Sequence, residues 1–150
     1  MTAPRTITVA VALMAATVLP STASSKTLDP SDRMIVKFNK VRAKHGLADL
    51  REAPKLARSS RGYAGHLIRT DSFGHGSSWT RTGFRRTGEI LALRRGWSRK
   101  PSPALRQWLH SPGHSALILD GSFRYVGVSP ARGYFGGART TVWVAHFGAH

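Results

Sequence analysis

Apolar residues recur at helical spacing through the first half of this chain and switch to the short period of strands near its end. That change of period is the strongest constraint on its fold. Asp29-Pro30-Ser31-Asp32 opens a helix, with Asp29 as N-cap and Pro30 at the first helical position. Met34, Phe38 and Val41 follow on one face, and Gly46 closes the segment. A second helix is predicted from Pro54 to Thr70, with Leu56, Ser60, Tyr63 and Leu67 inward. Gly88 to Leu93 reads as a short strand. Ser102-Pro103 caps a third helix carrying Leu105, Trp108 and Leu109, and Pro112-Gly113 stops it. Phe123 to Ser129 and Arg139 to Phe147 are rich in β-branched and aromatic residues, with Gly133 to Gly137 between them, which reads as a hairpin. Helices first and strands last make an α+β domain with an antiparallel sheet.

The N-terminus has a separate logic. Arg5 precedes an apolar run from Ile7 to Leu19, too short to span a bilayer, and Pro20 breaks it before the small residues Ser21 and Ala23. Residues 1–23 are expected to be a signal peptide, 24–34 a linker and the start of the first helix, and 35–147 one exported domain. The absence of cysteine means this domain must hold together without disulfides. The formal net charge of +16 is extreme, and a field of that sign attracts anions. Arginine outnumbers lysine, as a GC-rich genome also produces, so charge alone does not name a partner.

Several chemistries are excluded by their missing signatures. No paired-cysteine metal motif, zinc-protease helix, phosphate-binding loop or serine elbow is present. Carboxylates are scarce: beyond Glu52 only Asp71, Glu89 and Asp120 remain. Four local patterns stand out instead, in this order: Ser72-Phe73-Gly74-His75, Gly88-Glu89-Ile90, Trp108 to His114 (WLHSPGH), and Tyr125-Val126-Gly127-Val128 with a terminal His146-Phe147-Gly148.

On these blocks the chain resembles bacterial members of the CAP superfamily, the SCP-like extracellular relatives of cysteine-rich secretory proteins, antigen 5 and pathogenesis-related type 1 proteins. The likeness runs from about Ile35 to Phe147, and the Trp-x-x-Ser-Pro-Gly-His block is its most specific part. The resemblance implies a three-layer α-β-α sandwich around a small antiparallel sheet. It also implies a cleft lined by two histidines and acidic residues, which holds a divalent metal in some relatives. His75 and His114 match the two histidines, and Glu89 matches the glutamate of the usual Gly-Glu-Asn, where Ile90 replaces the asparagine. The second family glutamate falls near Ser111.

From the residues themselves, His75 sits in a glycine-flanked turn, a poor place for a core histidine. Glu89 heads an apolar run and needs a partner if buried. His114 can equally serve a helix end. Tyr63, Phe38, Trp108 and Trp143 read as core. Arg85, Arg86, Arg94 and Arg95 bracket Glu89 and form an expected basic rim, or else a solvated surface. The expected function is a monomeric secreted binder of an anionic cell-wall polymer or lipid. The alternative is a metal-assisted hydrolase, in which zinc held weakly by His75, His114 and Glu89 polarises substrate and Glu89 serves as base. Nucleic-acid binding is a third reading.

Overall fold

The computed structural model describes residues 27–77 and 81–150. The expected signal peptide and the linker up to residue 26 lie outside the described residues. Helix α1 (Pro30–Lys44) starts as its sequence dictates: the Asp29 carboxylate accepts from the Ser31 and Asp32 amides at 2.7 and 3.0 Å. It ends at the His45 cap, and Gly46 turns the chain with φ +67. Asn39 then pins the returning chain, donating to the Leu50 carbonyl and accepting from its amide. This aligns the two-residue β1 (Arg51–Glu52) for pairing.

Helix α2 (Pro54–Arg69) buries Leu56, Ser60, Ala64 and Leu67. Tyr63 lies at the border of that face and is only half buried, so it is not the core residue the spacing predicts. Strand β2 (Arg86–Arg95) outruns its apolar stretch at both ends. Helix α3 (Pro101–Leu109) begins at Pro101 rather than at Ser102-Pro103. Pro112 does not merely stop α3; it starts a second helix, α4 (Pro112–Ile118), since proline suits a first helical position as well as a break.

Strands β3 (Tyr125–Phe135) and β4 (Ala138–Ala149) form the expected hairpin. Its two-residue turn, Gly136-Gly137, has φ +55 and +72, a pair of positive angles that matches strand twist and that glycine adopts without strain. The sheet order is β1-β3-β4-β2. The β2, β3 and β4 pairs are antiparallel, and short β1 adds to β3 in parallel.

Each face of the sheet has its own core. On one face Met34 and Phe38 of α1, Leu105 and Trp108 of α3 and Ile118 of α4 pack on Ile90, Val126, Trp143 and Phe147. The Trp108 indole N–H donates to the Leu91 carbonyl at 2.8 Å, so its one polar atom is satisfied in the interior. On the other face Ala64 and Leu67 of α2 pack on Leu91, Val142 and Val144. The result is the three-layer α-β-α arrangement expected.

Alternation along β3 explains how closely α2 can approach. Gly127, Ser129, Ala131 and Gly133 follow one another on the face toward α2, so that face carries almost no side-chain bulk. A Cβ on Gly127 would lie 2.1 Å from the Leu56 carbonyl carbon and the Ala57 amide nitrogen, and one on Gly133 would lie 2.3 Å from Ile68. The helix backbone rests on the strand backbone.

Candidate functional site

Gly127, His146 and Glu89 form one row across the sheet, paired in register on neighbouring strands. Strand alternation turns Glu89 and His146 toward α2, with Leu91 and Val144 next along the same face. The Glu89 side chain is 1 % exposed and His146 is fully buried. A carboxylate so placed needs donors on both oxygens. His146 Nε2 lies 2.9 Å from Glu89 Oε2. His75 Nδ1 lies 2.8 Å from Oε1, and the Gly76 amide donates to the same oxygen at 3.1 Å. The carboxylate accepts, so His75 carries a proton on Nδ1, and its Nε2 is the ring nitrogen that Glu89 does not engage, on a side chain that is 61 % exposed.

Tyr63 closes the cluster from α2. Its hydroxyl donates to the Gly74 carbonyl at 2.6 Å, holding the loop that carries His75. Its ring stacks on His66 and tilts against His146. Gly76 lies against this ring, where a Cβ would approach within 2.6 Å, so the loop needs glycine there for space. Burial, and then the charge of Glu89, push the Tyr63 phenol above its usual range.

The second expected histidine comes from α4. His114 is half buried, and its Nδ1 has no hydrogen-bond partner among the described residues. Burial lowers its pKa and the nearby His75 lowers it further, which places the two imidazoles in each other's field. Ser111 is the N-cap residue of α4, one turn before His114, although its side chain makes no capping bond. A histidine that binds protons less readily when folded penalises the native state only where the unfolded chain is protonated. Stability should therefore be unaffected by His114 above the ordinary histidine pKa of about 6.5 and should fall as pH drops below it. Denaturant midpoints between neutral and mildly acid pH check this: His114→Gln should lose less stability on acidification than the wild type.

The structure thus brings together His75 and Glu89, sets His114 near them, and adds His146 and Tyr63, whose roles the sequence did not reveal. The signal for His146 was a polar residue at an inward position of a strand otherwise apolar on that face. The four arginines of the expected rim do not share one place. Arg85 and Arg86 flank the start of β2, and Arg94 and Arg95 its far end. Arg86 is engaged by Asp120 and lies over the Phe123 ring. Burial pushes the Asp120 carboxyl up, but hydrogen bonds from Ser122 and Arg86 outweigh it and hold the pKa below the usual value. Arg95 donates to the Phe135 carbonyl.

A pocket of about 780 Å³ opens beside Tyr63. Lys55, Arg58 and Arg81 line it with Tyr63, His66 and Ser77, and no described lining residue is a carboxylate. Tyr63 is the shared wall between this cationic pocket and the buried Glu89 cluster.

A metal set of His75, His114 and Glu89 meets two observations. Both Glu89 oxygens already accept hydrogen bonds. Among the described residues, no three histidine or carboxylate groups gather as metal ligands. The donors that remain are the His75 Nε2 and the His114 imidazole, with Glu89 behind His75 as an orienting partner. No described helix is long and apolar enough to cross a membrane.

The model of the cysteine-rich secretory protein family, CAP, matches residues 36–147. Solved structures share the fold at low identity. An outer surface protein of Borrelia burgdorferi is 21% identical with a TM-score of 0.65, covering 79% of this chain and 91% of its own. An extracellular protein of Bacillus anthracis containing an SCP domain is 22% identical with a TM-score of 0.65; the match covers 81% of this chain but 40% of that one. Venom allergen-like protein 4 of Schistosoma mansoni is 12% identical with a TM-score of 0.64, covering 82% and 90% of the two chains. No curated protein matches the sequence significantly.

Proposed function

The chain belongs to the cysteine-rich secretory protein (CAP) family, and from that premise we propose that it is a secreted, non-catalytic, monomeric binder of an anionic cell-envelope polymer. The polymer occupies the pocket beside Tyr63. One observation carries this reading. Glu89, the only carboxylate of the site among the described residues, is buried with both oxygens committed to donors, while the adjacent pocket is cationic and open. A general base must be within reach of the proton it takes. Glu89 has no oxygen turned to a ligand, so its work is to fix the His75 tautomer and the loop from Gly74 to Gly76.

The pocket chemistry suits repeated phosphate or carboxylate groups. Lys55 and Arg58 come from the first turns of α2, and Arg81 faces them from the chain before β2. Poly(glycerol phosphate), a model wall polymer, provides the test. Reversing Arg58 and Arg81 to glutamate should weaken binding by at least about tenfold, or 1.4 kcal/mol. Reversing Lys37, Lys40 and Lys44 on α1, an equal or larger change of net charge, should weaken it less. Equal losses would mean that the overall field binds the polymer and the pocket does not.

The metal-assisted reading rests on the orphaned Nδ1 of His114 near His75. Two imidazoles hold zinc poorly when their usual partners are three or four ligands. We expect an affinity of about micromolar or weaker, lost in both His75→Ala and His114→Ala by calorimetry. Wild-type affinity in both variants would remove these histidines from any metal site.

A further inference from the structure

The strands of the central hairpin run past the helices that cover them, and the exposed end has an unusual composition. On the face that carries α1 and α3, the alternation that buries Ile90 and Ala92 on β2 continues to Arg94. The positions of Val126 and Val128 on β3 continue to Arg132 and Tyr134. Trp143 and Ala145 on β4 lead back to Arg139. Trp97, just after β2, folds onto this surface. Its ring lies under the Arg139 guanidinium at 4.7 Å and meets Tyr134 edge-on at 6.0 Å. Both aromatic side chains remain open to solvent, Trp97 at 42 % and Tyr134 at 59 %. Among the described residues no carboxylate pairs with Arg94, Arg132 or Arg139.

We propose that this hairpin end is a docking surface for an anionic lipid bilayer. It is separate from the polymer pocket, with which its depression shares no lining residue. Tryptophan and tyrosine place an apolar ring and a polar edge together, which suits the boundary between headgroups and acyl chains. Arginines around them add attraction to anionic headgroups. A depression of about 310 Å³ between Trp97, Arg132 and Gly133 offers room for a single headgroup. A polymer or a nucleic-acid strand needs a long groove and open ring faces for stacking. Here the surface is the end of a hairpin, its turn held by the Asp71 carboxylate, which accepts from the Gly136 amide at 2.6 Å, and Arg139 covers one face of the indole.

Co-sedimentation with vesicles tests the proposal. The full exported chain should bind vesicles of phosphatidylglycerol and phosphatidylcholine at about 0.15 M salt and should not bind vesicles of phosphatidylcholine alone. Trp97→Ala with Tyr134→Ser should reduce binding by at least about tenfold, and Arg132→Glu with Arg139→Glu should do the same. Reversal of Lys37, Lys40 and Lys44 should cost much less. Tyr134→Ser alone is the guard against misfolding of the Trp97 variant, because that ring is the most exposed of the patch; it should still bind measurably less than wild type with an unchanged melting curve. Unchanged vesicle binding in the aromatic variants, or an equal loss in the α1 variant, would overturn the proposal. So would a chain that ignores the vesicles and binds single-stranded nucleic acid through Trp97.

Discussion

Gly127→Ala should destabilise the protein by more than about 4 kcal/mol, an exceptional loss for one methyl group. The added Cβ runs into the Leu56–Ala57 peptide itself, with the carbonyl carbon of Leu56 and the amide nitrogen of Ala57 each at 2.1 Å. No rotamer change relieves such a contact; α2 must lift off the sheet. The lift would spread, because the same helix places Tyr63 on the His75 loop and against His146. Gly62→Ala on the same helix is the contrast. Among the described residues nothing lies within 4 Å of the place its methyl group would take, so it should be neutral or stabilising by about 0.5–1 kcal/mol. Guanidinium unfolding of the two variants measures both effects. A midpoint for Gly127→Ala near that of the wild type would show that α2 does not rest on the β3 backbone.

Arg42→Met should cost about 3–5 kcal/mol, even though methionine fills much of the same space. Arg42 is fully buried on α1 and, among the described residues, has no carboxylate in salt-bridge range. Its guanidinium donates instead to four backbone carbonyls: Ala48 at 2.9 Å, Ile118 at 2.8 Å, Asp120 at 3.0 Å and Phe123 at 3.2 Å. These carbonyls lie at or just past the ends of α1 and α4, where the helical ladder runs out of donors. One planar fork therefore ties together two connections far apart in sequence. Burial, and then repulsion from Arg124, lower its pKa, yet an arginine stays charged across the working range. Arg42→Lys should recover only part of the loss, since one ammonium cannot reach four carbonyls in that geometry. Urea midpoints for the two variants are the check, and a Met variant within about 0.5 kcal/mol of wild type would mean that water replaces the fork at no cost.

Arg42 also shows where the sequence stops being legible. The residues give the α1 cap, the two apolar helix faces, the glycine hairpin and the buried tryptophans, because each follows from local periodicity or turn chemistry. They point to His75 and Glu89 through a glycine-flanked turn and a lone inward carboxylate. They do not reveal Arg42, which sits among lysines on a basic helix and differs only by what the turns after α4 need. The sequence marked His146 within a motif but not its role, for a related reason: its partner Glu89 stands directly opposite on β2, a pairing that register decides. The arginines bracketing Glu89 are close in sequence, yet a ten-residue strand separates Arg86 from Arg95 by its full length. The pocket basic residues, Lys55, Arg58 and Arg81, are scattered in sequence and are gathered only by α2 packing on a strand face emptied of bulk.

The proposed function makes Glu89 a holding group, and removing its charge while keeping its shape separates that role from catalysis. In Glu89→Gln the amide can still accept from His75 and Gly76 while donating to a His146 ring in its other tautomer. The measurement is to incubate poly(glycerol phosphate) with the wild type and with Glu89→Gln, and to follow both affinity and polymer chain length. The expected result is no shortening by either protein and affinities within about twofold of each other. Shortening by the wild type that disappears in Glu89→Gln, with binding retained, would contradict it and make this carboxylate catalytic.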